Sequence, residues 1–283
     1  MNSVDSPLTS ESKEKPELIP KGYGLISLAE EEKSIAVRDD QHEFSWLLDA
    51  IKTCHKNQGR FHLIDSGKLA VFQLEWLAEA GADIFTSDEA RPKSEEILLL
   101  SRAAKKGGRF LAFLHQGSLD AEAKMTLTYP DLREVGRSGV YLHLSNRANP
   151  PEYAKLHELA YECQKGSCWL VYYHHGPLDA DLEELARSGA WIHLSDKSVQ
   201  KEEDLAHLLN ILKAVPDKKT NIVFHMEREV PVLWLQDIFR AGAVILFKTP
   251  PSHYKSPLRA LEKEAERQKL DRRACYIYAK FLL

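Results

Sequence analysis

The sequence has few cysteines and no long apolar run. Its 283 residues include four cysteines, too few for a disulfide scaffold. Cys163 and Cys168 lack zinc-finger spacing, so we expect buried free thiols. No apolar run approaches the roughly 18 residues needed to span a bilayer, and the first 21 residues do not resemble a signal peptide. We therefore expect a cytoplasmic protein that does not contact a membrane.

The chain also lacks a large excess of charge of either sign. The net charge is −4 and the sequence pI is about 6.3, which argues against a mainly electrostatic nucleic-acid binder. Hydrophobic residues make up 43% and charged residues 28% of the chain. This composition excludes wholesale disorder, and the length is enough for one large core.

Several catalytic motifs are absent. The sequence contains no GxxxxGK[ST] loop, no GxGxxG after an apolar run, no HExxH and no GxSxG. The first apolar run lacks the His-x-His pair of barrel metallohydrolases. The loops at residues 227–231 and 249–252 contain no glycine, so the usual phosphate grip of a barrel is not expected.

Short apolar runs alternate with amphipathic helical patterns between residues 60 and 270. The eight runs are Phe61–Ser66, Asp83–Ser87, Phe110–Gln116, Val140–Ser145, Cys168–His175, Trp191–Ser195, Asn221–Met226 and Val244–Lys248. Alternation of this kind predicts a parallel sheet whose strands are covered by helices. Eight units in about 220 residues favour a (β/α)8 barrel of the TIM type, an α/β fold.

An internal repeat supports this architecture. Four predicted helices end in a small residue followed by glycine, at Gly81, Gly139, Gly189 and Gly242. A glycine at this place supplies the left-handed residue that ends a helix. The repeating unit is therefore two strands and two helices, a (βα)2 unit that occurs four times. A doubly wound sheet would not give such a repeat.

The regions outside the repeat suggest three parts of the chain. Residues 1–21 are polar and predict a flexible tail. Residues 22–57 predict a small N-terminal extension, with a hairpin from 24–28 and 35–37 followed by a helix. Residues 58–283 form the barrel. The apolar segment 274–283 is expected to dock on the domain or in a homo-oligomer interface.

The direction of the side chains decides which residues face the barrel interior, because they alternate along a strand. On the even-numbered predicted strands, an aliphatic set suits packing against the helices. The opposite set is Phe85, His143, His193 and Leu246, topped by Ser87, Ser145, Ser195 and Lys248. On the odd-numbered strands two alternatives remain. The interior carries either Asp65, His115, His174 and His225, or Ser66, Gln116, His175 and Met226.

The first alternative predicts a metal site. One carboxylate and three imidazoles at one depth, from Asp65, His115, His174 and His225, suit zinc, manganese or iron. Such a divalent metal would lower the pKa of a bound water. Without a metal, the same groups suit acid–base catalysis. A polar interior in which the histidines only bond to one another is the alternative without a function.

Two residues depart from the repeat and are candidates for catalysis. Glu227 stands where the other odd-numbered strands have glycine, and is a candidate general base or further ligand. Lys248 stands where the even-numbered strands have serine, and suits anion binding or a Schiff base. Lys197 is a weaker candidate for that role, because a surface position explains it.

Polar residues directly after the even-numbered strands are candidates for substrate binding. Asp88 and Asp196 line the predicted mouth, together with Arg228 after the seventh strand. Asp88, Asn146 and Asp196 are equally suited to be N-caps of the following helices.

The sequence thus predicts a barrel enzyme for a small polar substrate, a hydrolase or lyase with metal-assisted or His-mediated chemistry. Glu227, Lys248 and His174 are its expected catalytic residues. One alternative is metal-free acid–base or Schiff-base chemistry through Lys248. The other is a non-catalytic barrel that serves as a binding or assembly module.

Overall fold

The structure is a computed structural model. It describes residues 22–31, 34–119, 127–147, 149–215, 221–228 and 230–247, together with helical positions 259, 261 and 263 and the backbone of 276–278. The predicted tail at 1–21 and most of the predicted apolar segment at 274–283 lie outside these residues.

The strands form one parallel sheet whose order follows the chain from β1 to β10. They are β1 (Ser34–Arg38), β2 (Arg60–Ile64), β3 (Ala82–Ser87), β4 (Leu111–Leu114), β5 (Tyr141–Ser145), β6 (Leu170–Tyr173), β7 (Trp191–Ser195), β8 (Ile222–Met226), β9 (Val244–Phe247) and β10 (Tyr276–Tyr278). All eight predicted strands are confirmed, as β2 to β9.

Helices connect the strands. They are α1 (Gly22–Glu31), α2 (Phe44–Lys56), α3 (Val71–Glu79), α4 (Ser94–Lys106), α5 (Tyr129–Arg137), α6 (Tyr153–Lys165), α7 (Asp181–Arg187), α8 (Glu202–Ala214) and α9 (Val232–Arg240). Short 3-10 turns follow β1 at Asp39–Gln41 and β7 at Asp196–Ser198.

The consecutive strand order determines where the helices lie. Crossovers between neighbouring parallel strands are right-handed, so a sheet that never reverses its order carries its helices on one face. Each helix from α1 to α9 contacts the next one along the chain, as this arrangement requires. The α/β alternation is confirmed and a doubly wound sheet is excluded. In the described strands the ladders run in series from β1 to β10, and none joins these two strands to close a barrel.

The hydrophobic core lies between the sheet and the helices. Alternate strand residues point into it, including Phe61, Ile84, Phe113, Leu142, Tyr172, Ile192, Phe224 and Ile245. The prediction that the aliphatic residues of β3, β5, β7 and β9 pack against the helices is therefore confirmed. Cys54, Cys163 and Cys168 are buried free thiols, as expected.

We call the other face of the sheet the open face. It carries the alternate residues His62, Phe85, Leu114, His143, Trp169, Tyr173, His193 and His225. Ile64 and Trp169 on this face are 38% and 43% exposed. Side chains in a filled barrel interior are not exposed to this extent, so solvent reaches the open face.

The predicted glycine repeat is confirmed by the backbone. Gly81, Gly139, Gly189 and Gly242 all have positive φ values, between 82° and 115°. Residues with a side chain rarely adopt this conformation, and each glycine ends a helix before the next strand. The shared sequence pattern thus marks a shared turn.

The N-terminal extension differs from the prediction. Residues 24–28 lie in α1 and not in a hairpin strand, while 35–37 form β1. β1 pairs in parallel with β2, so this region is the first unit of the same sheet. At the other end, β10 pairs in parallel with β9, which places part of the apolar C-terminal segment on the sheet.

Candidate functional site

Four polar side chains bind the backbone at the carboxyl edge of the sheet. Each one directly follows one of the strands β1, β3, β5 and β7. Its side chain accepts a hydrogen bond from the backbone N–H of a residue that lies just after the next strand. We call them the clamp residues. The pairs are Asp39 with Ser66 at 2.9 Å, Asp88 with Gln116 at 3.0 Å, Asn146 with His175 at 2.7 Å, and Asp196 with Glu227 at 3.1 Å.

This arrangement corrects the roles predicted for these residues. The helix N-caps are Lys93 for α4 and Lys201 for α8, so Asp88 and Asp196 do not cap them. Asp196 is 2% exposed, and it accepts from the backbone and from Nε of Arg228. The predicted substrate contacts of Asp88, Asp196 and Arg228 are not supported, because these groups already bind one another or the backbone.

The four predicted metal ligands are not brought together. Asp65, His115 and His174 stand two residues after the core-facing residues of β2, β4 and β6, which are Leu63, Phe113 and Tyr172, so they lie on the helix face. His225 has the opposite parity and lies on the open face, because its neighbours Phe224 and Met226 point into the core. The prediction aligned the end of β8 with the other strand ends one residue out of step, and one residue reverses a side chain's direction.

Three of these four residues have local partners instead. Asp65 forms a buried ion pair with Arg91 at 2.8 Å. Nδ1 of His115 lies 2.7 Å from Oδ2 of Asp88. Nε2 of His174 lies 2.8 Å from the carbonyl oxygen of Pro177. Within the described ranges, no three His, Cys, Asp or Glu side chains are placed to hold a metal ion. The predicted ligand set therefore does not fit a metal.

Chemical groups do converge at the carboxyl edge of the open face. Tyr173 pairs with His193 and Ser195 pairs with His225 in the ladder register. His175, Ser195 and His225 therefore lie at one level on three neighbouring strands. Lys197 and Glu227 follow two residues later. We call these five residues the edge site.

The upper rim of the edge site is an ion pair. Nζ of Lys197 lies 2.6 Å from Oε2 of Glu227, and their side chains are 61% and 25% exposed. The prediction named Glu227 as a candidate general base or further ligand, and the structure places it beside Lys197. It treated Lys197 as a surface residue, and the side chain is indeed exposed although it has a carboxylate partner.

The environment of His175 favours its neutral form. Partial burial lowers its pKa, and the positive charges of Arg147 and Lys197 act in the same direction, while Glu227 opposes them. A neutral imidazole is able to accept a proton near neutral pH. His175 belongs to the second of the two alternative sets on the odd-numbered predicted strands, from which the sequence predicted no site. A comparison of strand registers would have found it, but the registers are not readable from one sequence.

Two pairs of rings lie below the edge site. Nδ1 of His193 is 2.8 Å from Nε2 of His225, and Nδ1 of His143 is 3.0 Å from the hydroxyl oxygen of Tyr173. Burial lowers the pKa of His143 to about 4. Burial and the neighbouring imidazoles lower the pKa of His193 to about 3. Both rings are neutral at pH 7. Burial raises the pKa of Tyr173 to about 12.

A small cavity lies on the other side of this edge. It has a volume of about 20 Å³ and is lined by Gly117, Ser145, Asn149, Glu152, Tyr172 and neighbouring residues. That volume suits a water molecule and not a metabolite. Tyr172 is 1% exposed, and its hydroxyl has no hydrogen-bond partner among the described residues.

A row of aromatic rings crosses the amino-terminal half of the open face. Successive ring centroids lie 5.3 to 6.0 Å apart. The row consists of His62, Phe85, Phe110, Tyr141, Trp169 and Trp191. Rings at these distances and tilts pack against one another, so the row forms a continuous and partly exposed aromatic surface.

Lys248, the predicted Schiff-base residue, lies outside the described residues. His174, the other predicted catalytic residue besides Glu227, lies on the helix face and is 4% exposed. Of the three predicted catalytic residues, the structure therefore places only Glu227 in the edge site.

Comparisons with known proteins give little more. No protein-family model and no curated protein match the chain. Among solved structures, the 3-dehydroquinate dehydratase of Aquifex aeolicus aligns over 59% of this chain and 80% of its own length, with 14% identity and a TM-score of 0.33. This likeness concerns the fold alone and carries no argument about function. In the described part of the chain, every helix is too short or too polar to cross a bilayer.

Proposed function

We propose that the chain is an enzyme that transfers protons on a small polar substrate at the edge site, as a lyase or hydrolase does. The observation that carries this proposal is the convergence of an imidazole, a carboxylate and an ammonium group at the carboxyl ends of β6, β7 and β8. Active sites of parallel α/β proteins lie at this edge of the sheet.

Each group has a role in this chemistry. His175 is neutral near pH 7 because its pKa is lowered, so it acts as a general base. Glu227 holds Lys197 at 2.6 Å, and the ammonium group stabilises negative charge that develops on a substrate oxygen. His225 is the second imidazole at the same level; when it enters the reaction with a bound proton, it donates that proton as a general acid, while His175 releases the proton it has taken to solvent.

No step of this scheme uses a metal, since the predicted ligand set does not fit one. The divalent metal expected from the sequence stays a prediction that elemental mass spectrometry of untagged protein tests. The Schiff base at Lys248 also stays a prediction, and borohydride trapping tests it.

The proposed function predicts exchange of substrate protons with solvent. A panel of small hydroxy acids, keto acids and lactones is incubated with the protein in D2O, and loss of C–H signals is followed by NMR. Glu227→Gln is expected to slow exchange about 100-fold, because the Lys197 ammonium loses the carboxylate that holds it in place and the loss of one such charge-stabilising donor costs a factor of this order. The matched control is Glu203→Gln, whose carboxylate lies 3.8 Å from Lys201 and is 77% exposed.

The control variant is expected to exchange protons at the rate of the unchanged protein. If no member of the panel exchanges, or if Glu227→Gln exchanges as fast as Glu203→Gln, the proposed function is wrong.

The aromatic row favours a second candidate, a binding module without catalysis. Trp169 in the row is 43% exposed, and exposed aromatic surface is typical of recognition sites. This candidate predicts no exchange for any substrate. It also predicts that ligand binding is lost in Trp169→Ala and retained in Glu227→Gln, which is the opposite of the enzyme proposal.

A further inference from the structure

Two imidazole rings are in direct contact at the edge site, where His225 belongs to the site and His193 lies one strand level below it. Nδ1 of His193 lies 2.8 Å from Nε2 of His225, and the ring centroids are 5.0 Å apart. His193 is 8% exposed, whereas His225 is half-buried. A distance of 2.8 Å between two ring nitrogens requires a proton between them. In the neutral pair, one ring donates and the other accepts.

The surroundings of His193 hold its ring in place. The Tyr173 ring lies on its other side, 4.6 Å away, and the Tyr173 hydroxyl is bound to His143 at 3.0 Å. The titratable groups that face His193 are thus His143 from β5, Tyr173 from β6 and His225 from β8. His175 and the Lys197–Glu227 pair lie above them at the edge.

His193 is also the ring that stays neutral. Burial lowers its pKa most, and the imidazoles of His225 and His143 add to this effect. When the pair gains one proton, the charge therefore resides on His225, which is less buried. A neutral His193 then accepts the hydrogen bond from the charged ring. An aspartate accepts from a catalytic histidine in the same manner in other enzymes.

We propose that His193 is a positioning residue for His225: it accepts a hydrogen bond from Nε2 of His225, so that protons enter and leave His225 through Nδ1. This inference deepens the proposed function of the edge site and rests on it. Both rings then carry their neutral-state proton on Nε2. The opposite direction of the bond would put the His225 proton on Nδ1 and leave no acceptor for the incoming proton.

The tautomers are measured by long-range proton–nitrogen NMR on the full chain with 15N-labelled histidine. We expect the Nε2–H tautomer for His193 and His225 at pH 7.5, and no protonation of His193 down to pH 5. A signal for Nδ1–H on His225, or averaged signals from both tautomers, would overturn the proposal. This measurement needs no variant and no substrate.

Three variants separate positioning from a structural role. His193→Phe keeps a ring against Tyr173 but removes the acceptor, so the pKa of His225 is expected to fall by about one unit and its tautomers to mix. His193→Asn supplies an amide oxygen near the former Nδ1 and is expected to restore both properties. His143→Phe breaks the other pair and is expected to leave His225 unchanged.

The outcomes distinguish this inference from the proposed function. Circular dichroism shows whether His193→Phe is folded. If His225 has the same pKa and the same tautomer in folded His193→Phe as in the unchanged protein, the positioning role is refuted, whether or not the protein is active. A fixed His225 tautomer together with no proton exchange on any substrate would refute the proposed function and leave the pairing of the two rings intact.

Discussion

Removal of the carboxylate of Asp196 is expected to destabilise the protein strongly. Asp196 accepts from the backbone N–H groups of Glu227 and Arg228, both at 3.1 Å, and from Nε of Arg228 at 3.0 Å. Its side chain is 1% exposed. Asp196→Ala removes all three bonds and leaves two backbone donors of the β8 edge without their partner.

The size of the effect follows from these contacts. A hydrogen bond to a charged group contributes about 1.5 to 3 kcal/mol, and such contributions do not add fully. The Arg228 side chain is 56% exposed, so the ion pair itself adds only about 1 kcal/mol or less. We expect a loss of about 4 kcal/mol for Asp196→Ala. That is a large part of the total stability of a domain, which is about 5 to 15 kcal/mol.

Asp196→Asn is the informative intermediate. Asn146 holds the equivalent place after β5 and accepts from His175 N at 2.7 Å with its amide oxygen. An asparagine at 196 therefore keeps one bond and loses the others, so we expect a loss of about 2 kcal/mol. The matched control is Asp237→Ala, since Asp237 is 44% exposed and pairs only with Arg240 in the same helix; its expected loss is below about 1 kcal/mol.

Urea unfolding followed by far-UV circular dichroism measures all three variants. The expected order of destabilisation is Asp196→Ala, then Asp196→Asn, then Asp237→Ala. If Asp196→Ala unfolds at the same urea concentration as Asp237→Ala, the carboxylate does not hold the β8 edge. A larger loss for asparagine than for alanine would likewise refute the clamp.

Two further predictions concern other buried groups. Tyr172→Phe is expected to raise the free energy of unfolding by about 1 kcal/mol, because the buried hydroxyl has no partner. Tyr153→Phe is expected to lower the free energy of unfolding, since the Tyr153 hydroxyl donates to Asp179 at 2.7 Å. Thermal unfolding measures both variants, and an equal loss of stability in the two would contradict this reasoning. The Arg137 guanidinium holds the pKa of Glu162 down to about 2. Because this pKa is lower in the folded state, the stabilisation is present above the ordinary carboxyl pKa of about 4.3 and is lost as the pH falls towards 2. Glu162→Gln is expected to remove this part of the pH dependence of the urea midpoint, and an unchanged profile would refute it.

The sequence was sufficient to predict the strands and the repeat. Apolar runs such as Trp191–Ser195 and glycines such as Gly189 are local signals, and both gave the correct elements. The N-terminal unit was missed because residues 24–28 combine glycine, serine and aliphatic residues, which suit either a helix or a strand. Pairing of β1 with β2 is a tertiary contact that no local pattern reveals.

The candidate site was predicted less well, because it depends on register. His225 and His174 stand at similar distances from their strand starts, yet they point to opposite faces of the sheet. A shift of one residue separates the two cases, and the sequence contains no signal of that precision. Glu227 was found because the same out-of-step alignment set it against the glycines of the other strands, whereas the clamp contacts align it with Ser66, Gln116 and His175. His175 and the His193–His225 contact were not found, since both depend on the alignment of neighbouring strands.

The clamp residues imply that the protein is a linear array in its energetics. Each one ties a strand to the next strand within one two-strand unit, and the helices contact their neighbours in series along the chain. In such arrays stability is close to a sum of nearest-neighbour terms. Within the part of the chain that the structure describes, the β6–β8 block with the edge site is therefore coupled to β1 and β2 through the strands and helices between them. Gain or loss of a unit at the N-terminal end of the array would leave the chemistry of this block largely untouched.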